Sequence, residues 1–302
     1  MAHGAARGLD DIPRYYAHIR HGQPLSPAVL RELSDRYRAI GGYSPLHEIT
    51  AALARRLAGV LGVRPGVVDW HVYHGFRHAP PFIADAVAAM AADGVQRGIG
   101  VVLAPHDSAL SGGRYRAAAE EARAAVDGAP PFTYVASWHL EPRLVHLLAS
   151  RVREAQAYWP EAERDAVPVV FTAHSLPERI RAEGDSYADQ VRATARAVAD
   201  LAGLAAWEVA WQSAGRTGEP WMGPDILEVV DRLAGEGRPG VLVCPLGFVA
   251  DHLEVLYDLD IQAAAAAAAR GLRWRRTRSL NDDPALAEVL ADIVEREVVL
   301  RA

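Results

Sequence analysis

Two α/β domains with parallel, doubly wound sheets are predicted for this chain, and three features predict them. Short β-branched runs alternate with longer helical patterns along most of the 302 residues. Most of those runs are near-continuously apolar, as parallel strands covered on both faces must be. His106, His139, His174, Gln212 and Gly247 lie at or just after predicted strand ends. That rim is where open α/β sheets bind their ligands.

The chain opens Met1-Ala2-His3-Gly4-Ala5-Ala6-Arg7-Gly8 with no apolar run, although such a domain should open with a strand. The first strand is therefore expected to be missing. An upstream extension of about ten residues, one strand and its lead-in, is expected to stabilise the fold. Helices are predicted over Pro27–Ala39 and Leu46–Leu61, then a strand over Val67–His74 and a helix over Pro81–Ala92. Strand Gly98–Pro105 leads to helix Tyr115–Val126, strand Phe132–Trp138 and the long helix Pro142–Tyr158. The second half continues with strand Val167–Ala173, helix Tyr187–Leu201, strand Trp207–Gln212 and helix Pro224–Gly235. Strands Val241–Pro245 and Leu272–Thr277 and helix Pro284–Leu300 complete the chain, with Ala263–Ala269 as a helix continuation. One sheet of all these strands would be wide for the length. The boundary is drawn near Trp159-Pro160-Glu161, giving domains 1–159 and 160–302, with the last helix packing back on the first domain.

Bulk composition removes several function classes. The net charge is −6, which argues against nonspecific nucleic-acid binding. Every basic side chain is arginine, and no lysine is present. The one cysteine, Cys244, lies in the apolar run Val241–Cys244 and reads as a buried thiol. A single thiol supplies neither an intrachain disulfide nor a four-thiolate iron–sulfur cluster. No run reaches the ~20 apolar residues of a membrane span, and no signal peptide is visible. A soluble cytoplasmic protein is the expectation.

Two segments carry the chemistry. Val169-Val170-Phe171-Thr172-Ala173-His174-Ser175-Leu176-Pro177 is an apolar strand that breaks at histidine. Pro245–Asp258 leaves a second apolar strand and turns into an acidic helix through Asp251, Glu254 and Asp258. One neutral nitrogen ligand facing a row of carboxylates suits handling of a divalent metal and movement of protons. If the segment is helical from Asp251, with Asp251 as its N-cap, Glu254 and Asp258 share a face one turn apart. His252 reads as structural support.

These segments and several others together resemble the ferrochelatases, above all the monofunctional bacterial coproporphyrin ferrochelatases. The matching stretches are Arg14–Arg20, Arg36–Leu46, Leu103–His106, Ala173–Pro177, Trp211–Ser213, Pro220–Asp225 and Gly247–Asp258. The resemblance implies two Rossmann-like chelatase domains with a porphyrin cleft between them. It implies insertion of Fe²⁺ as substrate into coproporphyrin III in haem synthesis, with release of two protons. His174 and Glu254 match the family's catalytic and metal-handling pair, and Asp258 extends the metal path. Arg20, Arg36, Tyr37, Ser44 and Tyr115 match positions that contact porphyrin or an outer metal. His3 stands where the family has a tyrosine near the metal centre, which adds an imidazole there. A further carboxylate of the relatives is replaced by Gln262, which weakens any outer Mg²⁺ site. No prosthetic group and no iron–sulfur cluster is expected. Expected partners are the porphyrin, Fe²⁺ and, transiently, the next enzyme of haem synthesis. A monomer without nucleic acid or stable membrane insertion is expected.

Some residues have plainer readings. Tyr37 and Tyr115 are equally legible as half-buried packing aromatics. Arg14, Arg38 and Arg116 read as solvated surface, whereas Arg20, Ser44 and Arg77 are candidates for substrate carboxylates. His71, His74 and His78 resemble a metal cluster by count but need not share a face. Three functions remain open at this stage: the coproporphyrin or protoporphyrin IX ferrochelatase, a chelatase loading cobalt or nickel into another tetrapyrrole, and a non-catalytic porphyrin carrier.

Overall fold

The computed structural model describes residues 1–65 and 68–299. The chain forms two compact units, Met1–Trp138 with Asn281–Ala302, and His139–Leu280.

In the first unit, α1 (Ile12–Ile19), α2 (Pro27–Ala39), α3 (Leu46–Val63) and α4 (Ile83–Ala92) precede β1 (Gly98–Gly100), α5 (Gly112–Ala125) and β2 (Phe132–Tyr134). Ser26 caps α2 by accepting from the Val29 amide. Strand β1 runs parallel to β2, with Gly98 opposite Phe132. The place of a first strand is held by Met1–His3. Ala2 N donates to Gly75 O at 3.1 Å, Arg77 N to Ala2 O at 2.9 Å, and His78 N to His3 O at 3.0 Å. On the other side Met1 N donates to Val101 O at 2.7 Å and Leu103 N to Met1 O at 2.9 Å. Both flanks of this short segment thus have their backbone groups paired, as buried amides and carbonyls require. The pairing at Met1–His3 amounts to an isolated parallel bridge of Ala2 with Phe76 and not to a strand. The pairing partner lies downstream of the expected one. Val67 lies outside the described residues, Val68–His74 forms no strand, and the ladder runs over Gly75–His78 instead.

Helix α12 (Pro284–Val299) belongs to this first unit and packs on α3. Leu61 meets Ala291 and Val294 there. Arg64, which caps α3, reaches Glu288, Asp292 (2.8 Å) and Glu295 (2.5 Å) on α12. Its side chain is only 18% exposed, so this triple pairing stands well above an ordinary surface ion pair.

The second unit is a four-stranded parallel sheet in the order β4-β3-β5-β6. Its strands are β3 (Val169–His174), β4 (Trp207–Gln212), β5 (Gly240–Cys244) and β6 (Arg273–Arg276). Helices α6 (Pro142–Gln156), α7 (Arg179–Ala182), α8 (Tyr187–Ala202), α9 (Ile226–Gly235), α10 (Leu253–Leu256) and α11 (Ala264–Ala269) complete it. Val170, Ala210 and Val243 of the sheet share a core with Val230 and Leu233 of α9 and with Val255. Helix α6 packs on α8 and touches β5, which places it with the C-terminal sheet. The units therefore divide after Trp138, not near Trp159-Pro160-Glu161. Central β3 and β5 are buried along almost their whole length, which explains their unbroken apolar runs. Asp225 caps α9 in a reciprocal box with Glu228. Among the described residues, no helix is long and apolar enough to cross a membrane.

Candidate active site

Strand order and register deliver His174 to the carboxyl edge of the sheet. It is the last residue of β3 and lies opposite Gln212, the last of β4. The Ser175 amide donates to Gln212 O at 2.8 Å and carries the pairing one residue further. Strand β5 stops at Cys244, and the chain then folds back so that the Gly247 amide donates to Thr172 O at 3.0 Å. Any side chain at Gly247 would collide with the backbone and Cβ of Ala173. That glycine lets the turn lie against β3 and brings α10, with Glu254, to His174. Gln212 is fully buried and its Nε2 donates to Glu254 O at 2.9 Å, fastening α10 to β4.

His174 Nε2 stands 3.5 Å from Glu254 Oε1. Its Nδ1 lies 2.5 Å from Ser175 O, a carbonyl that can only accept, so the proton on that nitrogen is fixed. The ring's titrating nitrogen is therefore the one facing Glu254. Burial works against an imidazolium here, but the charge and hydrogen bond of Glu254 outweigh it, helped by Ser175 O and Asp258. The His174 pKa rises to about 9. Tyr187, first residue of α8, donates from its hydroxyl to His174 O at 3.0 Å and holds the strand end. The other carboxylate oxygen, Glu254 Oε2, is 3.6 Å from His252 Nε2. Burial lowers the His252 pKa despite the same carboxylate. One carboxylate thus sits between two imidazoles of opposite tendency, one charged and one neutral. The His174 and Glu254 side chains keep 34% and 38% of their surface exposed, so a substrate can reach both.

Asp258 lies beyond Glu254 but not on a continuous α-helix. Helix α10 ends at Leu256, and Asp258–Ala263 forms a π-helix in which the Gln262 amide donates to Tyr257 O at 2.9 Å. Such π segments are rare and often mark functional sites. Asp258 is buried and accepts from Ser213 Oγ at 2.5 Å, while Ser213 itself adopts a left-handed φ of 60°. Gln262 is exposed. Asp251 is not the expected N-cap. His252 holds that position with extended backbone, and Asp251 instead accepts from Ser279 Oγ at 2.6 Å beside Arg276.

The remaining candidates belong to the first unit. His3 Nδ1 is 2.9 Å from Tyr15 OH, which donates to Gly4 O at 2.8 Å, and the His3 ring lies 4.7 Å from that of His78. His78 Nδ1 also meets His18 Nδ1 at 3.1 Å. The three histidines read together from the sequence do not converge: His71 is exposed beside Asp69 and His74 packs edge-on against Phe76. Among the described residues, no group of three or more histidine, cysteine or acidic side chains is arranged to hold a metal. Arg20 is exposed at the end of α1, and Arg36 pairs with Glu32 at 3.1 Å. Tyr37 is 1% exposed and its hydroxyl accepts from the Ala6 amide at 3.2 Å, so its ring is core. Tyr115 packs with Ile83, Val87 and Val102. Ser44 is buried, and its Oγ has no hydrogen-bond partner among the described residues. Arg116 is not free surface, since it grips both oxygens of Asp107. Reading the sequence did not single out Tyr187, the Ser213–Asp258 bond or the His3–His18–His78 contact. His3, His78 and Asp258 were each legible singly and Ser213 follows a strand end, but nothing in the sequence pairs them as the fold does.

Known proteins resemble this chain over nearly its whole length. The family model described as Ferrochelatase matches residues 1–298. A coproporphyrin III ferrochelatase of Geobacillus kaustophilus is 43% identical over 297 residues, covering 97% of this chain and 93% of that protein. A ferrochelatase of Herpetosiphon aurantiacus is 40% identical over 295 residues, covering 97% and 96%. Among solved structures, SirB from Bacillus subtilis with Fe3+ superposes with a TM-score of 0.60 at 14% identity, covering 83% of this chain and 88% of that one. CbiX, the terminal enzyme for siroheme biosynthesis in denitrifying bacteria, follows at 0.56 and 18%, covering 83% and 93%. At those identities the two structures establish the chelatase fold alone. The sequence relatives and the family match go further: the chain belongs to the ferrochelatase family.

Proposed function

We propose that this protein inserts Fe²⁺ into coproporphyrin III to give coproheme, releasing the two pyrrole N–H protons, with His174 and Glu254 as its catalytic pair. The observation that carries this reading is the 3.5 Å His174–Glu254 pair at the carboxyl end of β3. It occurs in a chain 43% identical to a coproporphyrin III ferrochelatase.

The resting charge state sets the order of events. Below about pH 9 the pair holds one proton, on His174. In that state the imidazolium neither accepts a proton nor ligates a cation. Glu254 is then the first acceptor of a pyrrole proton. His174 becomes a base or an Fe²⁺ ligand after its own proton has left, and an approaching dication favours that loss. Asp258, buried and held by Ser213, is the next carboxylate along the chain and passes protons or cations toward the pair. A four-carboxylate porphyrin is polar enough to arrive from water, which supports a reaction in the cytoplasm.

The test is anaerobic Fe²⁺ insertion, followed by loss of porphyrin fluorescence, with coproporphyrin III and protoporphyrin IX in parallel. Turnover of coproporphyrin III that His174→Ala lowers at least about a hundredfold is expected for loss of a positioned acid–base group. Preference for protoporphyrin IX would overturn the substrate, and binding without insertion would overturn the activity.

A further inference from the structure

Strand β3 outruns one of its two neighbours. Strand β4 keeps pace with it as far as the pair His174–Gln212, whereas the last pair with β5 is Phe171–Cys244. In a parallel strand the N–H and C=O of one residue point to the same side, and the side alternates along the chain. Odd-numbered residues of β3 face β4: Val169 N donates to Ala206 O at 3.0 Å and Ser175 N to Gln212 O at 2.8 Å. Even-numbered residues face β5. Leu242 N donates to Pro168 O at 3.1 Å, and the Gly247 amide, already past the end of β5, donates to Thr172 O at 3.0 Å. His174 O is the next acceptor on that side, beyond the reach of the β5 ladder. A carbonyl drawn from water needs a donor. Tyr187 supplies one from its hydroxyl at 3.0 Å.

The donor is firmly anchored. Tyr187 opens α8, and its amide donates to Asp185 Oδ1 at 2.9 Å. Its side chain is buried, with its ring centroid 5.8 Å from that of Trp211 on β4. Helix α8 rests on α6 and β4. The hydroxyl therefore ties the tip of β3 to the body of the same unit. Ser175 Oγ adds a tie to Met222 O at 2.8 Å, but the Tyr187 bond acts on residue 174 itself.

We propose that Tyr187 is a positioning residue for the reaction, holding the main chain of His174 so that Nε2 meets Glu254 at 3.5 Å. The imidazole is pinned through Nδ1 to Ser175 O, so the ring moves with the main chain of these two residues. Catalytic groups must be held within about 0.5 Å, and a displacement of about 1 Å can cost about a hundredfold in rate. Tyr187 acts through His174, so its effect on turnover rests on the function proposed above; its hold on the strand end does not.

The experiment compares the wild type, Tyr187→Phe and Val198→Ala. The first variant keeps the ring and removes the hydroxyl. The second opens a void at a fully buried position of the same helix and leaves the hydroxyl alone. Anaerobic Fe²⁺ insertion into coproporphyrin III gives kcat and KM, amide hydrogen exchange reads the strand end, and melting temperatures report folding. Tyr187→Phe is expected to lower kcat about tenfold with the porphyrin KM within about twofold of wild type. Its Ser175 amide is expected to exchange at least about tenfold faster relative to the Phe171 amide, which lies deeper in β3. Val198→Ala is expected to melt lower, with kcat and the Ser175-to-Phe171 ratio unchanged. An unaltered kcat in Tyr187→Phe overturns the proposal. So does an equal fall in Val198→Ala, which would reduce the effect to general stability, or a raised KM at constant kcat, which would move Tyr187 to substrate binding. A wild type that binds porphyrin and inserts no iron sinks the proposed activity. The exchange ratio then decides alone: a tenfold change in Tyr187→Phe supports the tether, and an unchanged ratio overturns it.

Discussion

His174 and His78 are both histidines drawn out of water, yet they end in opposite charge states. His174, in the second unit, is pushed up to about 9. His78, in the first, is pushed down to about 3. Burial lowers both, so burial does not separate them. The neighbours do. His174 faces the Glu254 carboxylate, backed by Asp258. His78 is ringed by His3, Arg77, His18 and His21, every one neutral or positive. The sign of the nearest charge therefore decides whether a half-hidden imidazole stores a proton or stays neutral. His252 marks the limit of that rule, since the same Glu254 carboxylate stands 3.6 Å away and does not overcome burial there. Proximity of a carboxylate matters less there because His252 also feels the imidazolium of His174.

The comparison breaks most visibly if Glu254 is neutralised. In Glu254→Gln, burial remains and the opposing charge is gone, so His174 is expected to titrate below 6.5. Iron insertion is expected to fall at least about a hundredfold, because the first proton acceptor is also lost. Nuclear magnetic resonance titration of His174 and the insertion assay read the two effects separately. A His174 still titrating near 9 would transfer the proton's hold to Ser175 O and Asp258 and refute the assignment to Glu254.

How far this pair was legible from sequence has a physical explanation. His174 and Glu254 each follow a long apolar run, and a parallel sheet buried on both faces must write such runs. Their facing across the rim was legible too, because strand ends in open α/β sheets converge. The geometry beyond them was not. The π-helix at Asp258–Ala263 breaks the one-turn spacing that an α-helix would impose, and nothing in Asp-Leu-Asp-Ile-Gln-Ala announces it. Met1–His3 is too short for any periodicity, yet its backbone pairs on both sides. Helix α1 went unread, with Pro13 in its first turn and a sequence too short to show many turns. The His3–His18–His78 contact joins segments far apart in the chain. The counted triplet His71–His74–His78 spreads along irregular backbone and never meets. The domain boundary was misplaced because only packing shows that α6 belongs with α8.

The comparison sharpens if the carboxylate is transplanted. His18 Nδ1 lies 3.1 Å from His78 Nδ1, and His18 is exposed. In His18→Asp a carboxylate oxygen takes nearly the place of that nitrogen. His78 is then expected to rise by about two pKa units, within the range seen for an opposite charge at such distance. The cost is an acidic side chain in the last turn of α1, about 0.5 kcal/mol against the helix dipole. A titration curve for His78 in the variant that still shows a neutral ring at pH 4 would mean that burial alone governs it.

The smallest expected effect is on stability. A folded-state pKa above 6.5 means that the folded protein binds the His174 proton more tightly than the unfolded chain does. The resulting stabilisation is full below about pH 6.5 and is lost as pH rises toward 9. With 34% of the side chain exposed, solvent screening reduces it to about 1 kcal/mol. The wild type and His174→Gln share every other titrating group to a good approximation, so the difference between their melting temperatures isolates this contribution. That difference is expected to shrink by about 2 °C between pH 6.5 and 9, with the wild type losing ground. A difference that stays constant across this window would mean that the resting pair holds no extra proton, and His174 would then be ready to ligate Fe²⁺ without first giving one up.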